Sequence, residues 1–136
     1  MADMDRLITS PDVSADLVAE FEREWIDAWN AHDIDRILSH YREDVDFVSP
    51  LAARAGAPQG RLRGLPALRE YFERGLVSYP ALHFQPIAAL GGVGSIALHY
   101  HAVEDRQAIE VMELDAHGRV YRAAVHYTFA ASNGGA

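Results

Sequence analysis

The chain has 136 residues, no cysteine and a formal net charge of −8, with 12 Lys and Arg against 20 Asp and Glu. This length suits one domain with its own core, and the missing cysteine excludes disulfides, thiolate metal sites and a cysteine nucleophile. The acidic balance argues against nucleic-acid binding, which needs a basic stripe to neutralise phosphates.

The expectation is a single domain over 1–136, with a core at about 14–129 and a flexible N-terminal arm and C-terminal tail. The first residues lack the basic and apolar runs of a signal peptide, and no apolar run reaches the length of a membrane span. A cytoplasmic protein without a membrane partner is therefore expected. Thirteen of the 20 acids lie in the first 46 residues and read as the solvated outer side of N-terminal helices.

From Ser14 to Ala31, residues Leu17, Val18, Phe21, Trp25, Ala28 and Trp29 recur at three- and four-residue steps. This spacing predicts an amphipathic helix, started by Ser10-Pro11 or by Ser14. Asp33 suits the N-cap of a short second helix carrying Ile34, Ile37 and Leu38. A strand follows in DVDFVSP, with Val45, Phe47 and Ser49 on one face and Pro50 ending it. Residues 50–64 are rich in Gly, Pro and Ala, carry Arg54, Arg61 and Arg63, and read as a loop. A third helix starts near Pro66 and runs to Pro80.

Strands are expected at about 82–90, 94–104, 107–115 and 119–129, separated by the turn signals GGVG, EDR and DAHGR. Helices first and antiparallel strands after is the α+β pattern, with the helices packed on one face of the sheet. Ile96, Leu98, Tyr100 and Ala102 form an apolar face, as do Tyr121, Ala123, Val125, Tyr127 and Phe129. The strand between them is ambiguous. Glu110 shares a face with Ala108, Met112 and Leu114, whereas Glu113 falls with Ile109, Val111 and Asp115, and alternation alone does not say which carboxylate is inside.

The segments WIDAWNAHDIDRILSHYREDVDFVSP, GLPALREYFERGL and EVMELDAHGRVYRAAVHY together resemble the nuclear transport factor 2-like superfamily, and in particular its SnoaL-like and ketosteroid-isomerase-like branches. The resemblance spans roughly residues 15–129. It implies a cone-shaped α+β barrel, with three N-terminal helices inside a strongly curved antiparallel sheet, an apolar pocket at the open end and a homodimer through the outer sheet face. It also turns Glu110 toward the pocket and Glu113 outward. In ketosteroid isomerase an aspartate base works with two oxyanion donors, a tyrosine and a protonated aspartic acid. The positions that match those roles here are Ser49, Trp25 and Glu110, so only one keeps its chemistry, and a serine cannot replace the carboxylate base.

On this reading Glu110, Tyr100 and Ser49 are the catalytic candidates. A glutamate on an apolar pocket face has its pKa raised by burial and can move protons near neutral pH. Trp25, Trp29, Phe47 and Phe72 are the candidate ligand-binding wall, completed by Met112, Val125 and Tyr127. His99 and His101 share a strand face with His126 nearby, but that face is convex and no carboxylate clearly completes a set, so no metal is expected. His83 is a proton-transfer candidate only if it points inward. The loop arginines near the pocket mouth offer attraction for an acidic substrate group. No Walker-type or dinucleotide glycine pattern and no G-x-S-x-G elbow occurs.

The implied function is a cofactor-independent isomerase or cyclase-like enzyme moving protons on a small apolar carbonyl compound of polyketide or steroid type. The alternative is a non-catalytic module binding a hydrophobic ligand or a protein.

Overall fold

A computed structural model describes residues 14–129; the N-terminal arm, the C-terminal tail and the Ser10-Pro11 cap lie outside the described residues. Helix α1 (Ala15–Asn30) is capped by Ser14, whose hydroxyl accepts the Leu17 N–H at 3.1 Å, and its periodic apolar side buries Val18, Phe21, Trp25 and Trp29. Asp33 caps α2 (Ile34–Leu38) as expected from its position. Strand β1 (Tyr41–Val48) begins earlier than the DVDFVSP pattern suggests and already buries Tyr41. Its alternation is disturbed because the pairing register shifts between Tyr41 and Asp46, leaving Glu43 exposed.

Residues 50–64 are not a plain loop. They hold helix α3 (Pro50–Arg54), a 3₁₀ turn at Pro58–Gly60 and the short strand β2 (Arg61–Arg63). The local chemistry explains the helix: Ser49 accepts the Leu51 N–H at 3.2 Å as an N-cap, and Pro50 occupies the first turn where its missing N–H costs nothing. Helix α4 (Leu65–Ser78) follows, then β3 (Gln85–Gly92), β4 (Ser95–His101), β5 (Gln107–Leu114) and β6 (Val120–Tyr127).

The six strands form one sheet in the order β2-β1-β6-β5-β4-β3. It is a mixed sheet rather than the antiparallel one expected, because β6 inserts beside β1 and runs parallel to it. Nor does it close into a barrel: β2 and β3 remain its edges. With the helices packed on one side, this is the α+β cone architecture that the sequence resemblance implies. None of the described helices is long and apolar enough to cross a membrane.

The glutamate ambiguity resolves in the β5 register. Ala108, Glu110, Met112 and Leu114 are buried, while Glu113 faces outward and accepts from Tyr121 and Arg122. The regular alternation expected for β6 breaks at its start. Glu113 pairs with Arg122 but Leu114 pairs with Val120, so Tyr121 is the extra residue of a bulge. Val120 takes the inner position, and Tyr121 turns outward beneath Arg42, 5.9 Å from its ring centre. Phe129, expected on the inner face, lies beyond the strand and is 96% exposed.

Gly60 fixes the approach of the 3₁₀ turn to the end of β1. Its φ is +70°, its carbonyl accepts the Ser49 N–H at 2.9 Å, and a Cβ there would lie 2.5 Å from the Ser49 carbonyl oxygen. Backbone cannot swing aside as a side chain can. Gly60→Ala is expected to cost about 2–4 kcal/mol of stability, from the left-handed conformation plus the forced displacement; urea unfolding of the variant checks this.

Candidate functional site

Helices α1 and α4 stand over the inner sheet face and leave a cavity of about 340 Å³. Trp25 and Trp29 reach it from α1, Phe72 from α4 and Phe47 from β1. Phe84, just ahead of β3, completes the aromatic wall: it lies 4.8 Å from the Tyr100 ring and nearly parallel to Trp25 at 5.9 Å. Trp29 meets Phe72 edge-on at 4.7 Å. Such offset and edge-to-face contacts are the favoured arrangements of aromatic pairs and build a continuous apolar wall.

The position of Phe84 is set by Asn30, the last residue of α1. The Asn30 side chain accepts the Phe84 N–H at 2.6 Å and donates to the Phe84 carbonyl at 2.9 Å, so helix and strand entry are clamped together. Sequence pattern does not reveal this clamp, because an Asn beside a helix end reads equally well as a turn residue. Leu82 and Phe84 point inward, which leaves His83 exposed and away from the cavity.

Of the sequence-predicted residues, Trp25, Trp29, Phe47 and Phe72 line the cavity, and so do Val125 and Tyr127. Tyr100 and Glu110 line it as well. Met112 does not: it is fully buried one alternation further along β5, in the core beyond the cavity. Ser49 is also buried outside the lining, where its oxygen is committed to capping α3. Its hydroxyl nonetheless neighbours the phenols of Tyr71 and Tyr127, two cavity residues.

Glu110 is the carboxyl on the cavity wall. Its side chain is buried, with Leu98 and Val125 as strand neighbours, and burial pushes its carboxyl up to about 7. Two hydroxyls oppose that rise. Tyr100 donates to Oε1 at 3.1 Å, and Tyr41 donates to Oε2 at 3.4 Å. Trp25 in turn donates its indole N–H to the Tyr41 oxygen at 3.2 Å, making a buried chain Trp25–Tyr41–Glu110. Both tyrosines are held well above their ordinary pKa, first by burial and then by the Glu110 charge, so they stay neutral donors. Sequence alternation misses Tyr41 because the register shift in β1 hides its membership of the inner face. The hydroxyl that the helix position Trp25 lacks is thus supplied to the carboxyl from two strands.

The rim is made by α3, the end of α4 and the β4–β5 turn. Arg54 lines it, as the loop-arginine expectation implies, and is joined to Glu104 at 2.8 Å and to the Tyr79 hydroxyl at 3.3 Å. Arg61 lies away from the cavity in a pair with Asp46 at 2.6 Å, and Arg63 does not line the cavity either. Tyr79 and Arg106 also donate to Glu104, at 2.6 and 3.2 Å. The Arg54 guanidinium, followed by the Tyr79 hydroxyl, holds the Glu104 carboxyl down at about 2. The cavity residues Leu51, Arg74, Tyr71 and Tyr79 carry no distinguishing sequence signal, since their pattern is that of ordinary helix and turn positions.

His99, His101 and His126 lie on the outer sheet face, where His99 bonds the Gln107 side chain at 2.8 Å. Among the described residues, no group of three or more His, Cys, Asp or Glu side chains comes together in a way that would hold a metal ion.

An aromatic cavity with a carboxyl on its wall, enclosed by helices and an open mixed sheet, defines a small α+β protein of the cone class. The SnoaL-like domain model matches residues 23–135, and the chain belongs to the SnoaL-like family. It is 44% identical to a SnoaL-like protein of unknown function from Burkholderia thailandensis, with 85% of this chain and 98% of that chain covered and a TM-score of 0.82. It is similar in fold to an isomerase candidate of the SnoaL-like family from Agrobacterium tumefaciens, at 15% identity over 82% of this chain and 97% of that one, TM-score 0.65. A third similar structure is SalBIII, an epoxide hydrolase/cyclase-like enzyme in pyran ring formation in the polyether salinomycin, at 18% identity over 82% and 90% of the two chains, TM-score 0.60. No curated protein matches the chain.

Proposed function

We propose that the protein is a cofactor-independent enzyme of the isomerase or cyclase type, moving a proton on a small, mostly apolar carbonyl compound of polyketide or steroid type. The observation that carries this is Glu110, a buried carboxyl with a pKa of about 7 on the wall of an apolar aromatic cavity. Near neutral pH such a group is populated in both protonation states, the condition under which proton transfer is most effective.

In the reaction the Glu110 carboxylate takes a proton from the carbon beside the substrate carbonyl. The electron pair of the broken C–H bond moves to the carbonyl oxygen as an enolate, and Glu110 becomes neutral. Where the substrate has a carbon–carbon double bond next to that carbon, the enolate extends over it, and return of the same proton to its far end re-forms the carbonyl and completes an isomerisation. Tyr127, a neutral phenol on the cavity wall, is the donor for the enolate oxygen. Tyr100 and Tyr41 act on Glu110 rather than on substrate: they hold its two oxygens in place and keep its ionised form accessible.

One observation favours the second reading, a non-catalytic binder. Both Glu110 oxygens already accept from protein hydroxyls, so the carboxyl is satisfied without a ligand. Proton exchange in D₂O separates the two: the enzyme washes deuterium into the carbon beside the carbonyl of flat cyclic ketones, followed by NMR. A binder shifts their spectra without exchange, and that result across a broad panel of such ketones would overturn the catalytic reading.

The same proposal includes a homodimer through the outer sheet face. Ile109 and Val111 are exposed at the middle of that face, with Ala97 and Ala124 opposite Val111 on the flanking strands. Val111→Glu is expected to halve the mass in sedimentation without changing the far-UV spectrum. A wild type that already sediments as a monomer overturns the dimer.

A further inference from the structure

The charged groups on the cavity wall are few and are sorted by depth. Glu110 is buried, whereas Arg54 and Arg74 are exposed at the rim. The chain contains no lysine, so all 12 of its basic side chains are arginines, and most are matched locally: Arg36 with Glu24, Arg61 with Asp46, Arg69 with Asp35. Arg74 is an exception. It lines the cavity and makes no ion pair or side-chain hydrogen bond among the described residues. Arg54 has a partner, but shares it: the one Glu104 carboxylate serves both Arg54 and Arg106. Asp105, in the same turn, pairs with neither of them. Among the residues that line the cavity, the rim therefore carries two guanidiniums, Arg54 and Arg74, and no carboxylate, in a chain whose overall charge is −8.

A local excess of positive charge on the rim of an apolar cavity, against the sign of the whole molecule, raises the local concentration of anions there. Arginine offers a planar fork of donors that matches carboxylate, sulfonate or phosphate oxygens, and Arg54 still has its Nε–H unused. An anion placed deeper would lose water and meet the negative form of Glu110. At the rim it keeps part of its hydration.

We infer that the ligand of this cavity carries an anionic head group, held at the rim by Arg54 and Arg74, with its apolar body against the aromatic wall and its reactive carbon toward Glu110. This deepens the proposed function and rests on the cavity being the substrate site. It narrows the substrate from an apolar carbonyl compound to an amphipathic one, a ring or chain ending in an acid.

Two fluorescent probes that differ only in charge test this: 1-anilinonaphthalene-8-sulfonate and neutral N-phenyl-1-naphthylamine. The wild type is expected to bind the sulfonate about tenfold more tightly, the size of a charge-assisted contact. Arg74→Gln is expected to remove most of that preference while leaving the neutral probe unchanged, and Arg54→Gln to reduce it. Arg63→Gln, on an exposed arginine outside the cavity, is expected to change neither. Equal affinity for the two probes, an equal loss of both in Arg74→Gln, or a loss in Arg63→Gln as large as in Arg74→Gln would each overturn the inference. Binding of neither probe overturns both the inference and the cavity as substrate site. Sulfonate preference with no deuterium exchange on any carbonyl compound sinks the catalytic reading alone.

Discussion

Glu110→Gln is expected to abolish proton exchange, by a factor of at least about 100, while leaving the fold intact and changing its dependence on pH in a defined direction. Glutamine has the shape of glutamate but cannot accept and return a proton. Its carbonyl can still accept from Tyr100, and its NH₂ can donate to the Tyr41 oxygen, so little packing is lost. The pH argument follows from linkage. The native carboxyl titrates at about 7 against an ordinary value of 4.5, so between those values the folded state holds a proton that the unfolded state has released. Stability from this group is therefore full below about 4.5, falls as pH rises, and is lost above about 7. The loss corresponds to about 3 kcal/mol.

Other groups act in the same range, so the comparison must be made between the two proteins. Glu104, held down at about 2 by Arg54 and Tyr79, has the opposite sign and loses its contribution as pH falls below about 4.5. His40, lowered by burial, weakens the fold as pH falls past the ordinary histidine range. Both are shared by wild type and variant and cancel in the difference. The stability of Glu110→Gln relative to wild type, from urea unfolding at closely spaced pH, should climb between pH 4.5 and 7 and then level. A flat difference would mean that Glu110 does not titrate near neutrality, and proton transfer by it at that pH would lose its basis.

How much of this is legible in the sequence depends on which physical signal each part rests on. The face of α1 and the inner side of β4 are amphipathic patterns imposed by burial, and Trp25 and Leu98 fall where those patterns place them. The parallel pairing of β1 with β6 leaves no local trace, because strand order is decided by long-range packing. The bulge at Tyr121 inverts the inside and outside of β6 at its first residues for the same reason. Alternation in β5 leaves Glu110 and Glu113 tied, and only the likeness to a known scaffold turns Glu110 inward; the register shows why that turn is right, since its neighbours Leu98 and Val125 are themselves buried. Tyr41 is the costly miss. Its face assignment depends on an irregular register, yet it supplies one of the two hydroxyls on the catalytic candidate.

That hydroxyl depends on Trp25, which makes this tryptophan the second residue to change. Its side chain is 1% exposed, stacks on Phe84, meets Tyr100 and Trp29 edge-on or tilted, and donates its indole N–H to Tyr41. Trp25→Ala is expected to cost about 3–5 kcal/mol, the usual loss for truncating a fully buried large aromatic residue that leaves a cavity behind. Trp25→Phe keeps most of the packing but deletes the donor. The Tyr41 oxygen then loses the hydrogen bond that polarises its own O–H, so its donation to Glu110 weakens and the ionised carboxylate is less well held. The midpoint of Glu110 titration should move further above 7, and with it the pH at which proton exchange turns on. Trp29→Phe, a change in the same aromatic wall without a bond to Tyr41, should leave that midpoint in place. If Trp25→Phe and Trp29→Phe shift the midpoint equally, the relay through Tyr41 has no part in tuning Glu110, and burial alone sets its pKa.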